Sequence, residues 1–196
     1  MGGLVMVVDN YDSFVYNIVD MLAKLGARSI VVRNDEITVS GARRISPDAI
    51  VISPGPGHPA RPRDTGVSPR IVEELGSDTP ILGICLGHQI IGSVYGAEIR
   101  RARTIKHGKT SRIRHNGDPL YTGVPTVFTG MRYHSLAVDS LPRELEATAW
   151  SLDDGEIMGI RHVRHPVAGV QFHPESVGTE DGLRILGNFL RYYADL

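Results

Sequence analysis

Only one cysteine occurs in the 196 residues, so no disulfide can form within the chain, and a reducing, cytoplasmic setting fits it. Apolar runs of membrane-spanning length are also missing, and the opening Met1-Gly2-Gly3-Leu4 carries no basic stretch ahead of a secretory core. Charge of one sign is not in excess: 21 basic residues face 22 acidic ones, for a formal net charge of -1. That balance excludes a nucleic-acid binder acting through bulk charge. No spacing of His, Cys, Asp and Glu forms a metal-ligand cluster, and no repeat, low-complexity segment or linker divides the chain. One local excess remains, the basic run from Arg100 to Arg114. Such a run reads first as a solvated face and second as a docking surface for an acidic partner.

A composition 41% hydrophobic and 22% charged describes a globular chain long enough for one sizeable core. The first half alternates short apolar runs with helical periods. Leu4–Val8, Ser29–Val32, Ala49–Ile52 and Ile81–Ile84 read as buried strands. Between them, Phe14, Ile18, Met21, Leu22 and Leu25 mark one helical face, which Asp12 or Ser13 is placed to cap and Gly26 to end. Val67–Leu75 and a stretch from about His88 to Tyr95 read as further helices, closed by Gly76 and Gly96. This alternation predicts a parallel sheet covered on both faces. The second half predicts strands at Lys109–Arg114, Val127–Gly130, Leu145–Ser151 and Glu156–Arg161, with tight-turn signals at Asn116-Gly117 and Asp154-Gly155. Val167–Gln171 returns as a strand, and Leu183, Leu186, Phe189, Leu190 and Tyr193 mark a last helix. The expected fold is a single α/β domain over 1–196, an open, mostly parallel sheet flanked by helices with an added antiparallel ribbon.

The lone cysteine sits in Gly83-Ile84-Cys85-Leu86-Gly87, between a predicted strand and a predicted helix. Glycine two positions to either side is what a sharp strand-to-helix turn needs, because larger side chains collide where the backbone doubles back. Chance places glycine at both positions for about one cysteine in a hundred, so the pattern reads as a nucleophile elbow rather than a buried thiol in a glycine-rich turn. A helix N-terminus also favours the thiolate.

A thiolate that cleaves an amide requires a proton donor for the leaving nitrogen. Of eight histidines, His88 lies in the same helix, where its approach to the sulfur is awkward. His173 follows a strand at its C-terminal end, the edge where open α/β sheets bind ligands, and Glu175 is two residues on to orient it. His107, His115, His162 and His165 read as surface or ribbon residues. The Leu86 N–H supplies one oxyanion donor, and Ser53-Pro54-Gly55-Pro56-Gly57, rigid yet bare, is placed to supply a second.

Together these residues resemble the class I glutamine amidotransferases, in which an elbow cysteine works with a His-Pro-Glu pair. The likeness runs the length of the chain through Asp9–Phe14 with Tyr16-Asn17, Arg33-Asn34-Asp35, Ser53–Gly57, Gly87-His88-Gln89, His107-Gly108-Lys109, Arg132–Leu136 and Gln171–Ser176. Its opening motif looks like the glutaminase subunits of chorismate-using synthases, the anthranilate-forming ones most, with the 4-amino-4-deoxychorismate-forming ones sharing nearly every motif. His58, after the glycine-proline loop, falls at a variable place.

The resemblance implies Cys85 as nucleophile, His173 as acid/base and Glu175 as its orienting partner. It implies Gly57 and Leu86 as oxyanion donors. Gln89, Ser135 and Leu136, with Gly55, Pro56 and Gly57, are implied to hold the amino-acid end of L-glutamine. The implied partner is a chorismate-using synthase in a hetero-oligomer. Mg²⁺ is expected on that synthase, with no cofactor in this chain. Two other functions share the features: a catalytically silent subunit on the same fold, and a cysteine hydrolase acting without a partner.

Overall fold

The computed structural model describes residues 2–196. Strands β1 (Leu4–Asp9), β2 (Arg28–Arg33), β3 (Ala49–Ile52) and β4 (Ile81–Ile84) pair in parallel with β11 (Val167–Val170) in the order β2-β1-β3-β4-β11. Antiparallel strands β10 (Ile157–His162), β9 (Leu145–Ser151), β6 (Lys109–His115) and β7 (Val127–Arg132) continue from β11, so a nine-stranded sheet crosses the molecule. The expected ribbon is therefore not a separate appendage. It extends the parallel sheet through the β10–β11 pair.

Alternation along the strands sends side chains to two cores. Val5, Val7, Val51, Leu82, Ala168 and Val170 face α1 (Val15–Lys24) and α6 (Gly182–Tyr193). Met6, Val8, Ile50, Ile52, Ile81 and Val167 face α2 (Val39–Ile45), α4 (Ser68–Leu75) and α5 (Leu86–Val94). A short α3 (Pro62–Thr65) precedes α4, and β5 (Glu98–Arg101) pairs with β8 (Leu136–Asp139) as a second, two-stranded sheet.

Several boundaries differ from the sequence reading for local reasons. Helix α1 begins at Val15 with Phe14 at its cap position, no side chain caps it, and Phe14 is half exposed. Asp12 instead accepts from the Phe14 N–H at 3.1 Å, holding the turn ahead of the helix. Asn116-Gly117 does not close a tight hairpin, because residues 116–126 separate β6 from β7 and include a short 3₁₀ turn, Pro119–Tyr121. Leu183 points outward, while Ile185, Leu186, Phe189 and Leu190 bury the inner face of α6. His115 and His162 lie in the ribbon but are buried, His115 stacked on Tyr121 and His162 on His165. In the basic run, Arg100 pairs with Asp139 and Glu156, and Lys106 with Asp153, so part of the positive charge is neutralised internally.

The β4–α5 junction leaves no room for side chains. A Cβ on Gly83 would stand 2.5 Å from the Gly87 main chain, and one on Gly87 would stand 2.3 Å from the Ile52 carbonyl oxygen. Gly87→Ala is therefore expected to destabilise the fold by about 1–3 kcal/mol through overpacking, read as a lower urea midpoint with an unchanged slope. An unchanged midpoint would mean that the junction is not close-packed.

Candidate active site

At the end of β4 the chain turns at Cys85, whose φ of 52° and ψ of -99° lie where a non-glycine residue is strained. The main chain pins it: the Cys85 N–H donates to the Val170 carbonyl at 2.8 Å, and the Gln89 N–H donates to the Cys85 carbonyl at 3.1 Å. The thiol is buried at the N-terminus of α5, where the first N–H groups lack intrahelical partners. Beside β4, β11 runs in parallel and places Gln171, Phe172 and His173 just past its C-terminal end.

His173 is held from three sides. Its N–H donates to the Met131 carbonyl at 2.9 Å, its carbonyl accepts from the Thr179 hydroxyl at 2.7 Å, and its Nδ1 lies 2.5 Å from Glu175 Oε1. A carboxylate only accepts, so Nδ1 carries the proton and Nε2 is the nitrogen left for chemistry. That Nε2 is buried and has no hydrogen-bond partner. Burial pulls the imidazole pKa down. Its place beside Cys85 and its bond to Glu175 outweigh that, and the net direction is upward, favouring the protonated ring.

The face of Cys85 opens onto a cleft of about 210 Å³. It is lined by Gly55, Pro56, Gly57, Leu86, Gln89, Ser135 and Leu136, together with Tyr133 and His134. All seven residues assigned to substrate from the sequence thus meet around one cavity with the cysteine. Gly57 adopts φ 107°, and a Cβ there would stand 2.5 Å from the Asp64 carboxyl.

The glycine-proline loop is held by a buried polar cluster. The Asn10 N–H donates to Ser53 Oγ and its side-chain amide to the Ser53 carbonyl, each at 2.9 Å, while Asn34 Nδ2 and Ser68 Oγ both donate to Asn10 Oδ1 at 2.9 Å. The motifs around Asn10 and Asn34 therefore act on the cleft indirectly, through the loop they fix.

Several neighbours of the site lie in motifs quoted from the sequence, to which no role beside His173 was given there. Tyr133 stacks edge-on against His173, with centroids 5.0 Å apart. It separates the cleft from a second cavity of about 170 Å³, and it is this second cavity that His173 and Glu175 line, with Phe14, Asn17, Ser176 and Val177. Arg132 is fully buried in a pair with Asp154 and donates to His134 Nε2 at 2.9 Å. Asp12 is close enough to feel both Glu175 and His173, although it lies at the opposite end of the chain from them. Burial first, then repulsion by Glu175, raises its carboxyl from 3.8 to about 6, against smaller opposing effects from His173 and the Phe14 N–H. Among the described residues, no group of three or more His, Cys, Asp or Glu could hold a metal ion.

The elbow, the carboxylate-held histidine and the cleft at the strand ends define a class: α/β proteins with a cysteine at a strand-to-helix elbow. The glutamine amidotransferase class-I family model matches residues 6–192, and the chain belongs to that family. It is 55% identical to anthranilate synthase component 2 of Saccharolobus solfataricus, over 95% of this chain and 97% of that one. It is 47% identical to aminodeoxychorismate synthase component 2 of Serratia marcescens, over 95% of this chain and 99% of that one. Among solved structures it superposes on a Thermoplasma acidophilum protein provisionally assigned to GMP synthase. There the TM-score is 0.89 at 27% identity, covering 100% of this chain and 96% of that one.

The raised Asp12 carboxyl gives a pH test with a defined sign. The folded chain keeps a proton that the unfolded chain releases between about pH 4 and 6, so ionised Asp12 lowers stability above that window. Asp12→Asn is expected to stabilise the protein at pH 7.5 by about 1 kcal/mol, after discounting for solvent screening, or about 2–4 °C in Tm. The gain should shrink to nothing by about pH 4. A gain that grew on acidification would contradict this electrostatic picture.

Proposed function

We propose that this chain is the glutamine-hydrolysing subunit of a chorismate-using synthase, and that it supplies ammonia to that partner for anthranilate formation. The single observation that carries the reading is the elbow Cys85 opening on a cleft of amino-acid size, with the His173 that Glu175 holds close enough to be coupled to it. The likeness to anthranilate synthase component 2 supports the pathway. The comparable likeness to aminodeoxychorismate synthase component 2 favours, as a second reading, service to a folate-type synthase, alone or in addition.

In the proposed reaction, the Cys85 thiolate attacks the side-chain amide carbon of glutamine. The oxyanion forms against the N–H groups of Leu86 and Gly57, each worth about 10²–10³ in turnover. His173 Nε2 gives a proton to the departing nitrogen, which leaves as ammonia with a γ-glutamyl thioester on Cys85. The same nitrogen then takes a proton from water, which attacks the thioester and releases glutamate. Glu175 keeps the imidazole in the tautomer and orientation that both steps use. Gln89, Ser135, Leu136 and the Gly55–Gly57 loop hold the amino-acid end of the substrate. No acceptor site for ammonia belongs to this scheme, so a docked synthase consumes it before bulk water protonates it. Mg²⁺ would belong to the synthase. No helix is long and apolar enough to cross a membrane; a cytoplasmic location agrees with the single free thiol.

Cys85→Ala is expected to abolish glutamine-dependent product formation in the assembled complex while leaving synthesis from added ammonium salts intact. Equal loss of both activities would count against ammonia transfer. With chorismate, glutamine and Mg²⁺ supplied, the aromatic product formed with each candidate synthase distinguishes the anthranilate reading from the folate-type one.

A further inference from the structure

One buried polar side chain beside the nucleophile has no task in the reaction just described. Gln171 is fully buried, directly after β11 and two residues before His173. Its Nε2 donates to Cys85 Sγ at 3.6 Å, and its Oε1 accepts from Gln89 Nε2 at 3.1 Å. Gln89 Nε2 also donates to the Leu136 carbonyl at 3.1 Å. Both Gln89 amide protons are thereby engaged, and its oxygen is the group left for the cleft.

The orientation of each amide in this chain is forced from the far end. Arg132 can only donate, and Asp154 fixes its guanidinium through contacts of 3.2 and 2.9 Å. Arg132 Nε donates to His134 Nε2, so the proton of that ring lies on Nδ1, which donates to the Leu136 carbonyl at 2.8 Å. That carbonyl accepts only, so Gln89 must present its nitrogen to it. Gln89 therefore presents the same nitrogen to Gln171, and Gln171 must turn its own nitrogen to the sulfur. Flipping Gln89 would set its oxygen against two others, and flipping Gln171 would set nitrogen against nitrogen.

We propose that Gln171 is a positioning residue of the glutaminase reaction, coupling recognition of glutamine to activation of the nucleophile. Its N–H stabilises the sulfur anion before attack and when the thioester breaks down. Its oxygen locks Gln89 so that the Gln89 oxygen faces the substrate's α-ammonium group. The proposal rests on the glutaminase reading given above. It adds a residue outside the Cys–His–Glu set whose loss should disturb substrate binding and thiol reactivity together.

Gln171→Met keeps the length and burial of the side chain and removes both bonds. With the chain in complex with its synthase, the variant should alkylate at Cys85 with iodoacetamide about tenfold more slowly at neutral pH and raise KM for glutamine about tenfold, as expected for losing a bond to a charged group. Ammonium-dependent synthesis should be unchanged. Gln89→Met should raise KM and, by freeing the amide it orients, slow alkylation less than Gln171→Met does, and adding it to Gln171→Met should raise KM little further, since both act on one contact. Gln171→Asn retains an amide too short to reach Gln89 and Cys85 at once, so it should lose at least one readout in a core that stays polar and folded. Wild-type alkylation and wild-type KM in a folded Gln171 variant would overturn the proposal. Failure of the wild-type chain itself to use glutamine, with ammonium activity intact, would overturn the glutaminase reading instead.

Discussion

The backbone reversal at Cys85 is the constraint on which the site depends. A non-glycine residue at φ 52° is strained, and the surroundings must hold it there. They do so with the bond from the Cys85 N–H to Val170, and with glycines at 83 and 87 that let β4, α5 and β3 approach within backbone contact. The bond to Val170 also ties the elbow to the strand that delivers Gln171 and His173. Cys85, His173 and the proposed positioning amide are thus fixed by one strand pair rather than by mobile loops.

Electrostatics at this point centre on His173, which Glu175 holds and Cys85 adjoins. His173 has one nitrogen engaged with Glu175 and the other unpartnered toward the sulfur, so a proton moved from thiol to imidazole leaves two charges that stabilise each other. The cost of burying them falls on neighbours as well. Asp12 is held partly protonated near neutral pH by burial and by the carboxylate of Glu175. The second cavity, across Tyr133 from the Cys85 cleft, is the one that this histidine lines.

Much of this was legible in the sequence where the physics is local. Glycines flanking Cys85, the apolar runs of the parallel strands and the strand-end position of His173 depend on spacing alone, and the cleft gathers every residue assigned to it. What escaped notice has long-range causes. Helix α2 has only seven residues, too few for a helical period to stand out, and β5 and β8 are four-residue strands, one carrying two arginines. Asn116-Gly117 has the composition of a hairpin turn, yet the chain uses it to enter a longer excursion that packs Tyr121 into the core. The links from Arg132 through His134 and Gln89 to Gln171 join residues up to 82 positions apart, which no local pattern reveals.

In the proposed reaction Cys85 forms a covalent bond to the side-chain carbonyl carbon of glutamine, with His173 as its proton partner. Incubating the chain and its synthase with an electrophilic glutamine analogue, followed by peptide mass spectrometry, tests this directly. One label per chain is expected, on Cys85, protected by glutamine and strongly slowed in His173→Ala. An unlabelled Cys85 in a complex that still makes product from ammonium would contradict it.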